Sequence, residues 1–236
     1  MAQSVGNAKN ILVGASPLFL SSIDINDSDY IANAEAGVSI ASGANTVGVP
    51  AFAPGASYAT TLNNVTQTAG LFGYRNVGFT NNGLQITYNP TFDSVTVDQL
   101  LDTAKLFKSA MEVMIATEMS EGTLENIVTV FGQSSSTLSA VTGTSTTTKQ
   151  ELGLAAGSLG AAPTERQLIA VGQAPTAGST SSERVYYARR VLSVQQSQHS
   201  LARTTATTFP VTFRLLPDAN YSGSEYGKII DRVLVV

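Results

Sequence analysis

Apolar and polar residues alternate along much of this chain, and a period of two marks a strand with one buried face. Leu84, Ile86 and Tyr88 alternate with Gln85 and Thr87, and Phe209, Val211, Phe213 and Leu215 alternate with Pro210, Thr212 and Arg214. Residues 164–173 and 184–196 read as further strands, the second rich in β-formers, and residues 228–236 close the chain with another. Residues 10–20 hold two short apolar runs split by Gly14 and Pro17, which predicts a strand and a bend. Residues 94–103 continue as strand and then turn. In 104–119, Met111, Val113 and Ile115 alternate with Glu112, Met114 and Ala116, favouring strand, although Ala104-Lys105-Leu106 suits a helix. Between 71–80 and 84–88 stands Asn81-Asn82-Gly83. Asn-Gly supplies the two positive φ angles of a type I′ turn, so a hairpin is expected there.

One segment has the helical period. Leu124, Ile127, Val128 and Phe131 fall at i, i+3, i+4 and i+7, so residues 121–132 are expected to form an amphipathic helix with those four on its core face. Ser120 or Thr123 can cap its start and Gly132 its end. Two segments lack periodicity. Residues 28–70, rich in Ala, Gly, Ser, Asn and Thr, predict a long loop or arm that orders against a neighbouring subunit, with Tyr30, Phe52 and Tyr58 as its contact residues. Residues 133–150 read as a Ser/Thr-rich linker loop. No repeat of constant period occurs. The expectation is a single, mainly β domain over 1–236.

Composition sharpens this picture. Apolar residues make up 43% of the 236, enough for a globular core, but only 13% are charged, against roughly 25% in ordinary globular proteins. A surface poor in charge and rich in small residues suits a protein covered by its neighbours. The net charge of −4 gives no general attraction to nucleic acid. Residues 1–125 carry 4 Lys+Arg against 11 Asp+Glu, a net of −7, whereas 126–236 carry 9 against 6, a net of +3. That asymmetry is either scatter on one solvated surface or a head-to-tail contact between copies. Met1 to Gly6 has neither the basic nor the apolar part of a secretory signal, which points to folding in a cytoplasm.

Candidate chemistry is sparse. With no Cys and one His, His199, thiolate and two-histidine metal sites drop out, and a serine triad would have to use His199, which sits in polar sequence at a strand end. Gly223-Ser224-Glu225-Tyr226-Gly227 misplaces the serine of a nucleophile elbow, and no phosphate-binding glycine loop occurs. Asp24, Asn26, Ser28 and Glu35 match positions 1, 3, 5 and 12 of a calcium loop, but Asp29 stands where that loop requires glycine. Glu112 and Glu118 share one parity of a strand, as a glycosidase pair or, by preference, as a solvated or lumen-facing surface. Tyr186-Tyr187-Ala188-Arg189-Arg190 interleaves aromatic and basic residues, and alternation sends Tyr187 and Arg189 to one face. The expectation is no catalytic, cofactor or metal residue, and no enzyme.

Several segments, in order along nearly the whole chain, are similar to the major tail tube proteins of siphophages, especially those of actinobacterial phages. They are Asn7-Ala8-Lys9-Asn10, Gly78, Leu84-Gln85-Ile86-Thr87-Tyr88, Val97-Asp98-Gln99-Leu100-Leu101-Asp102-Thr103-Ala104-Lys105-Leu106-Phe107-Lys108, Thr123-Leu124-Glu125-Asn126, Phe213-Arg214-Leu215-Leu216-Pro217-Asp218 and Gly223-Ser224-Glu225-Tyr226-Gly227. The resemblance implies a β-sandwich or half-barrel with one flanking helix. It implies hexameric rings whose strands merge into a β-barrel around a lumen, stacked through long loops and arms. Implied partners are further copies of the chain, a tape measure protein, a tail terminator and distal tail or baseplate proteins. Genomic DNA would pass through the lumen without specific binding, in a virion tail assembled in the host cytoplasm. A conduit that bound phosphates would impede its cargo, so Glu112 and Glu118 are expected in the lumen. The competing readings are a β-sandwich carbohydrate- or receptor-binding virion module, disfavoured by the absence of Trp, and a carboxylate-based hydrolase.

Overall fold

The computed structural model describes residues 16–21, 61–62, 65–66, 74–100, 102–134, 138–142, 148–154, 156, 159–160, 163–174, 182–194, 197–199, 201, 203 and 206–233. Within them the protein is mainly β, with twelve strands and one helix. The strands are β1 (Leu18–Ser21), β2 (Thr61–Leu62), β3 (Val65–Thr66), β4 (Tyr74–Asn76), β5 (Thr80–Thr96), β6 (Thr103–Met119), β7 (Leu138–Thr142), β8 (Thr148–Leu152), β9 (Arg166–Gln173), β10 (Ser182–Ser193), β11 (Phe209–Leu215) and β12 (Gly227–Val233), and the helix is α1 (Leu124–Val130). Eight strands form one sheet in the order β4-β1-β9-β10-β11-β6-β5, with β12 joined to β10 off this path. Every pairing is antiparallel. The sheet forks at β10: residues 182–188 pair with β12, and residues 191–193 pair with β11.

The central strands are apolar on both faces. Leu18, Leu20, Leu168, Ala170, Ala188 and Val191 join Val113, Ile115, Phe209, Val211 and Phe213 in the larger cluster. Their sequence neighbours Phe19, Ile169, Val171, Val185 and Tyr187 form a second cluster. Alternation sends consecutive residues to opposite sides, so β1, β9 and β10 read as continuous apolar runs. By contrast β6 from residue 111 and β11 bury one parity only, and these two showed clean alternation in the sequence.

The Asn-Gly signal resolves differently from the expected hairpin. Asn82 (φ 59°) and Gly83 (φ 67°) do take positive φ, yet β5 runs straight through them. Register passes from Asn81 opposite Glu118 to Gln85 opposite Ala116, so the pair forms a bulge. The Thr117 hydroxyl donates to the Gly83 carbonyl at 2.9 Å and holds the bulge shut. The local conformation was read correctly, but the long partner strand β6 decides whether such a pair reverses the chain or bulges it.

The helix is shorter than 121–132. Thr123 caps it, its hydroxyl accepting from the Asn126 amide at 3.3 Å. Gly132 (φ 65°) ends it in a Schellman motif, with Gly132 N–H donating to Thr129 O and Gln133 N–H to Val128 O. Two turns cannot present the full stripe. Val128 is buried, Leu124 and Ile127 are half-buried, and Phe131, at the C-cap, is exposed with its ring turned to His199. The inward positions are completed by Asn126, Thr129 and Val130. Asn126 is fully buried and its amide donates to Val77 O at 2.9 Å and Glu121 O at 2.8 Å, pinning the helix to the chain entering β5.

Part of the expected linker at 133–150 is ordered otherwise, because β7 and β8 pair as a two-stranded ladder. Within 28–70 only β2 and β3 are described. Tyr30, Phe52, Tyr58 and the calcium-like Asp24, Asn26, Ser28, Asp29 and Glu35 lie outside the described residues.

Candidate assembly surface

β5 and β6 are 17 residues each, and the sheet's body supports only part of that length. Residues 91–100 and 102–110 are all exposed, so the distal hairpin stands clear of the fold. Six residues of β5, 91–96, carry it about 20 Å beyond the last supported pair, Pro90 and Met111. Paired residues in a ladder share a face. On the face continuous with the core stand Ile86 opposite Ile115, Tyr88 opposite Val113, Phe92 opposite Lys108 and Ser94 opposite Leu106. The other face carries Thr87 opposite Met114, Asn89 opposite Glu112, Asp93 opposite Phe107 and Val95 opposite Lys105. A register shift between Thr91 and Phe92, with Ser109 as the extra β6 residue, keeps Phe92 and Leu106 on the core side. Lys108 Nζ lies 5.9 Å from the Tyr88 ring centre on that face.

The core-side stripe therefore continues off the body with nothing under it. Tyr88 is 66% exposed, Phe92 57% and Leu106 65%, and Val97 and Leu100 add apolar surface at the turn. Along its outer side β5 is an edge strand: among the described residues it pairs only with β6. Pro90 sits in this strand, where a ladder tolerates a residue without an N–H. A long unpaired edge with apolar flanks is a template for another strand.

Glu112 and Glu118 lie on the face of β6 opposite Val113, Ile115 and Thr117, both half-buried. Glu112 is 3.7 Å from Arg214 of β11, and Glu118 accepts from the Asn81 side chain at 3.3 Å. Six residues of strand separate them by about 20 Å, whereas glycosidase pairs stand roughly 5 to 9.5 Å apart. They do not form such a pair. A depression of about 160 Å³ beside the Asn82–Gly83 bulge has Glu118 as its sole ionisable lining group. His199 is exposed, with its ring tilted against Phe209 at 4.8 Å between centres, and it does not line the depression. Among the described residues no three His, Cys, Asp or Glu gather as metal ligands.

Tyr187 and Arg189 do share a face of β10, with the guanidinium carbon 5.3 Å from the ring centre. Arg190 points elsewhere and holds Glu165 through two hydrogen bonds of 2.7 and 2.8 Å. At the far end of the strand Arg184 makes a two-point pair with Asp231 at 2.6 and 2.7 Å. The Arg184 hydrogen bond holds the Asp231 carboxyl below its ordinary range.

Alternation puts Tyr88 on a buried face with Leu84 and Ile86, yet Tyr88 is 66% and Ile86 43% exposed because the sheet's body ends beneath them. The sequence does not single out Phe92; Leu106 enters only through the helix-suited triplet and the resemblance, and Phe107 only through the resemblance. A signal was available: 84–108 carries large apolar residues in both parities, more than a one-sided strand needs. No protein-family model matches the chain, and no curated protein matches it significantly.

Proposed function

We propose that this chain is a self-assembling structural subunit of a hollow protein tube, of the kind formed by siphophage major tail proteins. In this reading copies close into hexameric rings, rings stack, and the bore conducts genomic DNA and a tape measure protein. The observation that supports it most is the long free edge of β5 on a hairpin with unsupported apolar residues on both faces. Such a strand is incomplete alone, and ring closure hides its edge. Stacking of rings is a heterologous contact that need not close, so it grows a filament.

The face of β6 that carries Glu112, Met114, Ala116 and Glu118 has Thr87, Asn89, Thr212 and Arg214 beside it, so it is mostly polar, with two carboxylates and one guanidinium that lies 3.7 Å from Glu112. It lines the bore in this proposal. Negative-stain microscopy of the purified chain over a concentration series tests the reading. Rings or tubes of uniform bore are expected, and discrete particles of one chain at every concentration would refute it.

A further inference from the structure

Arg189 is the largest fully buried side chain in the described protein, with no exposed surface. Its Nε donates to Ser224 O at 3.2 Å, and its backbone N–H donates to Tyr226 O at 3.2 Å. The guanidinium lies flat on the Tyr221 ring, 3.5 Å from its centre, with Tyr187 at 5.3 Å. Among the described residues neither Nη1 nor Nη2 has a hydrogen-bond partner. Burying an ionised group whose donors are unsatisfied is costly, and ring stacking answers only its faces.

The cover over Arg189 is the strap 217–226, joining β11 to β12. It folds on itself through Tyr221 N–H to Asp218 O, Ser224 N–H to Tyr221 O and Asp218 N–H to Glu225 O. The strap holds two carboxylates, and both are turned to its own amides. Asp218 Oδ1 accepts from the Asn220 backbone and side chain at 3.1 and 3.0 Å. Glu225 Oε1 accepts from Gly223 N–H at 2.9 Å, a bond that also holds its carboxyl below the ordinary range. Glu165 is held by Arg190, the next residue along β10, which points elsewhere. Among the described residues none of these carboxylates pairs with Arg189.

We propose that Arg189 is the anchor of an oxyanion site, and that the strap with Tyr221 is its lid. Nη1 and Nη2 form the two-pronged donor edge that fits a carboxylate or phosphate. Tyr221 covers one face of the guanidinium and tethers the strap to it; displacing the strap uncovers the donor edge, and the exposed Ser222 and Gly223 (φ 80°) stand at the strap's tip. The oxyanion is either a carboxylate from a second copy of the chain or a free anion such as phosphate.

The test titrates the purified protein with inorganic phosphate, and separately with acetate, at an ionic strength held constant with sodium chloride. Thermal melting and arginine side-chain NMR are the readouts. A saturable rise in melting temperature and slowed exchange of the Arg189 Nη protons are expected with phosphate. Arg189→Lys should weaken binding at least about tenfold, because a point charge cannot match the fork. Tyr221→Leu should tighten it, because the closed stack no longer competes. Should Arg189→Lys fail to fold, Tyr221→Leu carries the test alone. Suppression of self-association by saturating phosphate would assign the site to a neighbour's carboxylate, and unchanged self-association to a free oxyanion. A response no larger than that to chloride, in both the native protein and Tyr221→Leu, would overturn the proposal.

Discussion

Replacing Tyr88, Phe92 and Leu106 together by Ser should abolish assembly and leave the fold intact. Full burial of a Phe or Leu side chain contributes about 1.5–3 kcal/mol. Tyr88, Phe92 and Leu106 are 66%, 57% and 65% exposed, so a docking neighbour can still gain about 1–2 kcal/mol from each. The three together come to about 3–5 kcal/mol per contact, or about two to nearly four orders of magnitude in its dissociation constant. Within one subunit Phe92 and Leu106 stand on the hairpin clear of the body and Tyr88 sits just before its last supported pair, so their combined loss should lower the unfolding free energy by about 1–2 kcal/mol, less than the contact loses. Sedimentation velocity gives the critical concentration for assembly, and urea denaturation below it gives the stability of the monomer. A rise of about a hundredfold or more in critical concentration is expected, with monomer stability lowered by no more than about 2 kcal/mol. An unchanged critical concentration, or a subunit destabilised by several kcal/mol, would refute the reasoning.

Gly227→Ala places a methyl group against the Tyr187 carbonyl at the fork, at a φ of 145° that side chains avoid; a loss of about 3 kcal/mol is expected in denaturant melts. Asn126→Ala leaves two inward-facing carbonyls without their donor, and should cost about 2–3 kcal/mol by the same measurement. Asp231 has a folded pKa below its unfolded one because Arg184 favours the carboxylate. Its stabilisation is therefore present above the ordinary carboxylate range and lost as pH falls through the folded value. Half-exposure of the aspartate keeps the effect small, and Asp231→Asn should flatten the acid limb of a plot of melting temperature against pH.

How much of this was legible depended on whether one face or two are buried. β11 and the inner part of β6 bury one parity, and their alternation placed them correctly. The central strands β1, β9 and β10 bury both faces, so period two vanishes and only β-former content marks them. The Asn82–Gly83 dihedrals were readable but their consequence was not, since a bulge needs the partner strand that only the fold supplies. The stripe Leu124, Ile127, Val128 and Phe131 located the helix, yet caps at Thr123 and Gly132 cut it to two turns. That shift gave Asn126, a polar residue, the most buried place. The hairpin's overhang was invisible because alternation is silent about which stretch of a strand has a body beneath it. Burial of Arg189 was equally hidden, since nothing local announces that 217–226 folds back over it.

The central claim is that the outer edge of β5 is completed by a strand of another copy around a bore. Cryo-electron microscopy of the assembled chain, at a resolution that separates strands, tests it most directly. The account predicts an unbroken hydrogen-bonded ladder crossing from β5 into the neighbouring subunit, with Glu112 and Glu118 facing the central channel. An assembly in which β5 meets solvent, or one without a channel, would contradict it.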